Sequence, residues 1–114
     1  MKGFSIGDIV FVENYVYKNG EKGTEHMFVI VDEGQVVQLS NYFGFLVSSN
    51  MSKASYPFNE VLNKDNTNNL KMDSIVKCDD LIEIAEDEIK FKVGNVMQDD
   101  LLRFIDTYFK YLNE

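Results

Sequence analysis

The sequence predicts a β-rich α+β domain that ends in one C-terminal helix, and three observations predict it. Runs of β-branched and aromatic residues recur between polar turns, as in Gly7-Asp8-Ile9-Val10-Phe11-Val12. Charged and apolar residues alternate in Glu88-Ile89-Lys90-Phe91-Lys92-Val93, the period of a half-exposed strand. After Gln98 the period lengthens. Leu101, Phe104, Ile105, Tyr108 and Leu112 then fall on one face of a helix.

The elements follow in order. A turn before residues 7–12 opens the first strand, and Tyr15-Val16-Tyr17 either extends it or leads into a loop. Residues 18–24 are polar and hold two glycines, a good hairpin connection. Residues 26–31 form a second strand, apolar on both faces and therefore central. Asp32-Glu33-Gly34 reads as a turn and 35–39 as a third short strand. Residues 43–49 read as a further strand. Residues 50–69 are polar, with one proline and an Asn-rich tract, and are expected to be a long surface segment with a short β turn around Tyr56–Phe58. Residues 74–84 are a strand, Glu86-Asp87 a turn, and 88–93 the last strand. Asp99 and Asp100 favour the helix dipole at the start of the final helix.

Size and composition narrow the class. The chain has 114 residues, 45% of them hydrophobic, enough for one domain over 1–114 with a real core. It has no apolar run long enough to span a bilayer, and its first residues lack the apolar region of a signal peptide. The expectation is a cytoplasmic protein without membrane contact. One cysteine and one histidine cannot make a Cys/His zinc site or an internal disulfide. The net charge of −8 weighs against general nucleic-acid binding, although a local basic groove remains compatible with it. The one arginine, Arg103, falls in the predicted helix.

The most informative stretch is Ser74-Ile75-Val76-Lys77-Cys78-Asp79-Asp80-Leu81-Ile82. On a strand, Lys77 and Asp79 share a face, flanked by Ile75 and Leu81. They are either a chemical site or a salt-bridged strand pair. Cys78 falls on the opposite face, where a small buried hydrophobe is the preferred reading over a reactive thiol. His26 is the one side chain with an unperturbed pKa near neutrality, and it is either catalytic or a structural residue at a strand start. Ser48 and Ser49 either donate to a phosphate or simply end a strand. Tyr15, Tyr17, Tyr42 and Phe43 are candidates for base stacking. The cluster Tyr108, Phe109 and Tyr111 reads as packing or as a dimer surface.

These segments together resemble the MazF/PemK family of toxins, in a divergent branch found in firmicute bacteria and their phages. Gly7-Asp8-Ile9-Val10 is similar to the family's opening Gly-Asp strand. Gly23-Thr24-Glu25-His26 sits where the family has Gly-Thr-Arg-Pro. Val47-Ser48-Ser49-Asn50 sits where an apolar strand ends in Thr-Ser. Val76-Lys77-Cys78-Asp79 resembles Val-Arg-Cys-Asp, and Val93-Gly94-Asn95-Val96 resembles the run before the last helix. The resemblance spans roughly residues 6–112.

It implies an SH3-like small β-barrel, a homodimer, an antitoxin partner, and cleavage of single-stranded RNA without metal or cofactor. DNA is not an expected ligand. Metal-free cleavage needs a base for the ribose 2′-OH, a donor set for the phosphorane, and an acid for the departing 5′ oxygen. The candidates are Asp79 as the base or its orienter, Lys77 for the phosphorane, His26, and Ser48. Lys18, Lys22, Thr24, Ser49 and Lys53 are the candidate RNA-binding residues. The chain departs from the family at Glu25 and Lys77, where arginine is usual, and at His26 and Ser48. A protein-binding module on the same barrel, without catalysis, is the alternative, and a structural barrel without a ligand is a third.

Overall fold

The computed structural model describes residues 3–17, 19–36 and 39–114. Six strands form one antiparallel sheet in the order β6-β7-β5-β4-β1-β8. They are β1 (Asp8–Val12), β4 (His26–Val36), β5 (Leu39–Ser48), β6 (Asn59–Leu62), β7 (Ser74–Ala85) and β8 (Ile89–Asn95). β2 (Tyr15–Val16) and β3 (Lys22–Gly23) make a separate short hairpin. The chain ends in α1 (Gln98–Leu112), the bounds its apolar period predicts.

Alternation along the strands sends side chains to two cores, one on each face of the sheet. On one face Ile9, Val29, Phe45, Val47, Val76 and Cys78 pack beneath Phe104 of α1, with Leu101 and Tyr108 at the margin. On the other face Val10, Phe28, Ile30, Leu46, Ile82 and Ile84 pack with Tyr15 of the hairpin. Tyr15 meets Phe28 edge-on at 4.9 Å between ring centroids. Gly23 makes room for it, since a Cβ there would lie 2.1 Å from the Tyr15 ring. The hairpin is therefore anchored to this face of the sheet through Tyr15.

The sheet has two edges, β6 and β8. Among the described residues no ladder pairs them into a closed barrel. The loop after β6 reaches β8 instead. Asn95 N–H donates to the Thr67 carbonyl at 3.1 Å, and the Asn69 amide donates to the Val93 carbonyl at 3.1 Å. Asn68, buried in this loop, accepts from Asp65 and Leu70 N–H and donates to the Asn63 carbonyl.

Three expectations are corrected. Asp32-Glu33-Gly34 is not a turn, because β4 runs unbroken to Val36 and pairs with β5 through Val36↔Leu39. The third short strand is therefore the meeting ends of β4 and β5, and its central residues Val37 and Gln38 lie outside the described residues. Gly34 is small for packing rather than for turning, since a Cβ there would lie 2.5 Å from the Phe43 ring. Finally, 50–69 is not a plain surface loop. It holds a single 3₁₀ turn, Met51–Lys53, and the edge strand β6.

β6 is fastened by α1. Arg103 donates to Glu60 at 2.6 Å, to the Val61 carbonyl at 2.9 Å and to Asp100 at 3.0 Å. Thr107 Oγ1 donates to the second Glu60 oxygen at 3.0 Å. The one arginine of the chain is thus engaged between helix and strand.

Candidate active site

β7 departs from regular pairing at its middle. Its partner β5 pairs Val47↔Val76 and Phe45↔Leu81, so Leu46 alone stands opposite residues 77–80. Such a bulge bends the strand and re-aims side chains. On the other edge Asn59 pairs with Lys77, and Cys78 N–H donates to the Phe58 carbonyl at 3.0 Å. Lys77 and Asp79 emerge half-buried, while Cys78 between them is fully buried in the core beneath α1. Among the described residues no ion pair joins Lys77 to Asp79, so they are not a salt-bridged strand pair.

Lys77 and Asp79 line a cleft of about 770 Å³. Its walls are the tip of the β2–β3 hairpin, the segment 53–59, and Tyr111 near the end of α1. Lys53 lines the same cleft.

His26 and Ser48 are not in the lining of this cleft; they stand on the neighbouring strands β4 and β5. Met27↔Val47 is a paired position of β4 and β5, so the next residues outward, His26 and Ser48, face one another. Ser48 in turn pairs with Ile75 of β7, two residues from Lys77 on the same face. His26 Nδ1 accepts the Met27 N–H at 3.1 Å, so the neutral ring carries its proton on Nε2. Burial lowers the His26 pKa below the ordinary 6.5, the Met27 and Val47 backbones oppose this, and the charge of Lys77 lowers it further. Both effects favour the neutral imidazole. Ser48 Oγ accepts the Asn50 N–H at 3.1 Å, which leaves its hydroxyl proton to donate.

The remaining candidates are dispersed. Lys22 lines a second cleft of about 780 Å³ on the other side of the hairpin, with Phe43 and Glu83. Thr24, Glu25 and Ser49 are exposed. Lys18 lies outside the described residues. Of the aromatics proposed for stacking, Tyr15 and Tyr42 are core residues at 7% and 6% exposure, because the hairpin and Phe4 cover them. Tyr17 alone of that set lines the Lys77 cleft, where Tyr56, Phe58 and Tyr111 join it. Sequence reading missed these three because the fold, not any local motif, brings residue 111 beside 56–58. Among the described residues no three His, Cys, Asp or Glu side chains gather as a metal ion requires. Among them, too, no helix is long and apolar enough to cross a membrane.

Residues 5–109 match the family described as PemK-like, MazF-like toxins of type II toxin–antitoxin systems. The chain belongs to this family. No curated protein matches it. In PemK-like terms, the strand-rich sheet with a terminal helix is the arrangement the family resemblance implies. Of the five segments that carry the resemblance, 23–26, 47–50 and 76–79 come together, because they lie at or on the adjacent strands β4, β5 and β7. This PemK-like chain presents lysine, histidine and serine there, and Glu25 stands exposed beside them.

Proposed function

We propose that the chain is a cytoplasmic toxin that cleaves single-stranded RNA without a metal, as a homodimer held inactive by an antitoxin protein. One observation carries the reading. Adjacent strands β4, β5 and β7 bring three proton donors to one face: His26 Nε2–H, the Ser48 hydroxyl and the Lys77 ammonium. A carboxylate, Asp79, follows two residues beyond Lys77. Preorganised donors around a developing oxyanion are the largest single contribution in many enzymes.

In this reading the Asp79 carboxylate takes the proton of the ribose 2′-OH. The 2′ oxygen attacks phosphorus, and the three donors hold the charge of the phosphorane. The bond from phosphorus to the 5′ oxygen breaks, and that oxygen takes a proton from Lys77. The products are a 2′,3′-cyclic phosphate and a 5′-hydroxyl. His26 acts as a neutral donor here, consistent with the direction of its pKa shift.

Expression in a bacterial host tests the reading, with growth and RNA ends as readouts. Wild type arrests growth and leaves 5′-hydroxyl ends. Lys77→Ala and Ser48→Ala each reduce cleavage by the purified protein, about 10²–10³-fold for a lost oxyanion donor. Intact RNA from well-folded wild type overturns it.

Two specific observations favour the alternative of a binding module: exposed Glu25 at the position where the family carries arginine, and the net charge of −8. That module binds a protein, and its Lys77→Ala variant leaves growth and RNA as wild type does.

A further inference from the structure

At its bulge β7 loses support on one side. Val76 and Leu81 pair with β5, and among the described residues Lys77 between them has no partner there. The support comes from the other side. Lys77 pairs with Asn59 of β6, and the next amide, Cys78 N–H, donates to the Phe58 carbonyl at 3.0 Å. The course of β7 just after Val76 is therefore set by β6 and the residue before it.

β6 is a slender support by itself. It is four residues long and lies at an edge of the sheet, so it has one neighbouring strand. What backs it is α1. Arg103 donates to Glu60 Oε1 at 2.6 Å and to the Val61 carbonyl at 2.9 Å. Thr107, one turn further on, donates to Glu60 Oε2 at 3.0 Å. Asp100, one turn earlier, accepts from the same guanidinium at 3.0 Å and aims it. The helix does not drift with the strand, because Phe104, next to Arg103, is fully buried in the core with Val76 and Cys78. Glu60 itself pairs with Val76, the residue before Lys77. Both members of the ion pair also act on Cys78 in the bulge. Burial raises its thiol pKa, Glu60 adds to the rise, and Arg103 opposes it.

We propose that Arg103 is a positioning residue for the site on β7: through Glu60 and Val61 it holds β6 against the bulge and so fixes where the Lys77 ammonium and the Asp79 carboxylate stand. It acts through the strand. The consequence for cleavage rests on the ribonuclease reading, and the placement of Lys77 does not. A misplacement of about 1 Å by a residue far from the chemistry can cost ~10²-fold in rate.

Arg103→Lys is the test, since it keeps the charge and loses the planar fork. His26 is the reporter, because the charge of Lys77 lowers its pKa. In NMR titrations Arg103→Lys raises the His26 pKa toward its value in Lys77→Met, and has no effect once Lys77→Met is already present. Hydrogen exchange gives a second reading. Cys78 N–H exchanges about tenfold faster in Arg103→Lys, while the β1–β4 ladder keeps its protection. Thr107→Val removes one of the bonds to Glu60 and gives the same changes at smaller size, which covers the case in which Arg103→Lys does not fold.

An unmoved His26 pKa overturns the proposal, and so does an equal rise in the Lys77→Met background. Faster exchange spread evenly over the whole sheet also overturns it and leaves Arg103 a merely structural residue. Cleavage is scored separately: Arg103→Lys lowers kcat about 10–10²-fold with KM unchanged. Wild type that leaves RNA intact sinks the ribonuclease reading alone, with the placement of Lys77 still read at His26 and Cys78. Cleaving wild type with an Arg103→Lys kcat equal to its own sinks the positioning role alone.

Discussion

His26, at the start of β4, lies within electrostatic reach of Lys77 on β7, although β5 runs between their strands. Burial first and the lysine charge after it hold the imidazole below its ordinary pKa. The chain has one histidine, so one set of ring resonances reports the site. An NMR titration gives a pKa below 6.5 in wild type, and Lys77→Met moves it upward. The unfolded chain binds a proton here more readily than the folded one. His26 therefore leaves stability unchanged above pH 6.5 and costs stability as pH falls from there through its folded pKa. A pKa that Lys77→Met leaves in place removes the coupling.

Glu25→Arg restores the cation usual in the family at an exposed position. RNA affinity rises, and the dependence of log K on log salt steepens by about 0.7 for one added phosphate contact on a single strand. Binding assays across a salt series read this slope. An unchanged slope places Glu25 outside the RNA path.

Glu60→Ala removes the side-chain acceptor of both Arg103 and Thr107 and leaves the Arg103 bond to the Val61 carbonyl as the remaining hydrogen bond of this brace to β6. The expected loss is about 1–3 kcal/mol in urea unfolding, since hydrogen bonds to charged groups fall in that range. Arg103→Lys does not substitute, because an ammonium cannot reproduce the planar fork that reaches Glu60, Val61 and Asp100. A midpoint within error of wild type for both variants shows the brace to be idle.

Gly94→Ala sets a Cβ 2.5 Å from the Asn68 carbonyl oxygen, and backbone rather than a flexible side chain must yield. The loop that ties β6 to β8 is displaced, with a loss of about 1–3 kcal/mol. Thermal unfolding measures it, and hydrogen exchange at Asn95 N–H, bonded to Thr67, locates it. Undiminished protection at Asn95 contradicts this account.

The helix and the long strand β7 were legible because a sustained period or an apolar run spells them out. β6 was not. Asn59-Glu60-Val61-Leu62 has no alternation, and its place at the sheet edge comes from pairing with β7 and from Arg103 across 43 residues of sequence separation. Gly34 misled for a related reason. A glycine that marks a turn and a glycine that clears an aromatic ring look alike until the ring of Phe43 is located. Of the candidate site, Lys77 and Asp79 were legible from one strand, and His26 and Ser48 from the motif positions of the resemblance. Tyr17 was legible as a stacking candidate, but the rest of the aromatic wall was hidden, because residues 56, 58 and 111 join it only through the turn at 54–58 and the helix end.

Cys78 sits back to back with the groups proposed for chemistry, fully buried, with its thiol pKa raised by burial and then by Glu60. A thiolate reacts and a buried thiol does not. The single cysteine is therefore a built-in clock for β7. Its rate of alkylation counts how often that strand leaves the core, so a ligand that closes over the opposite face slows the clock without touching the sulfur.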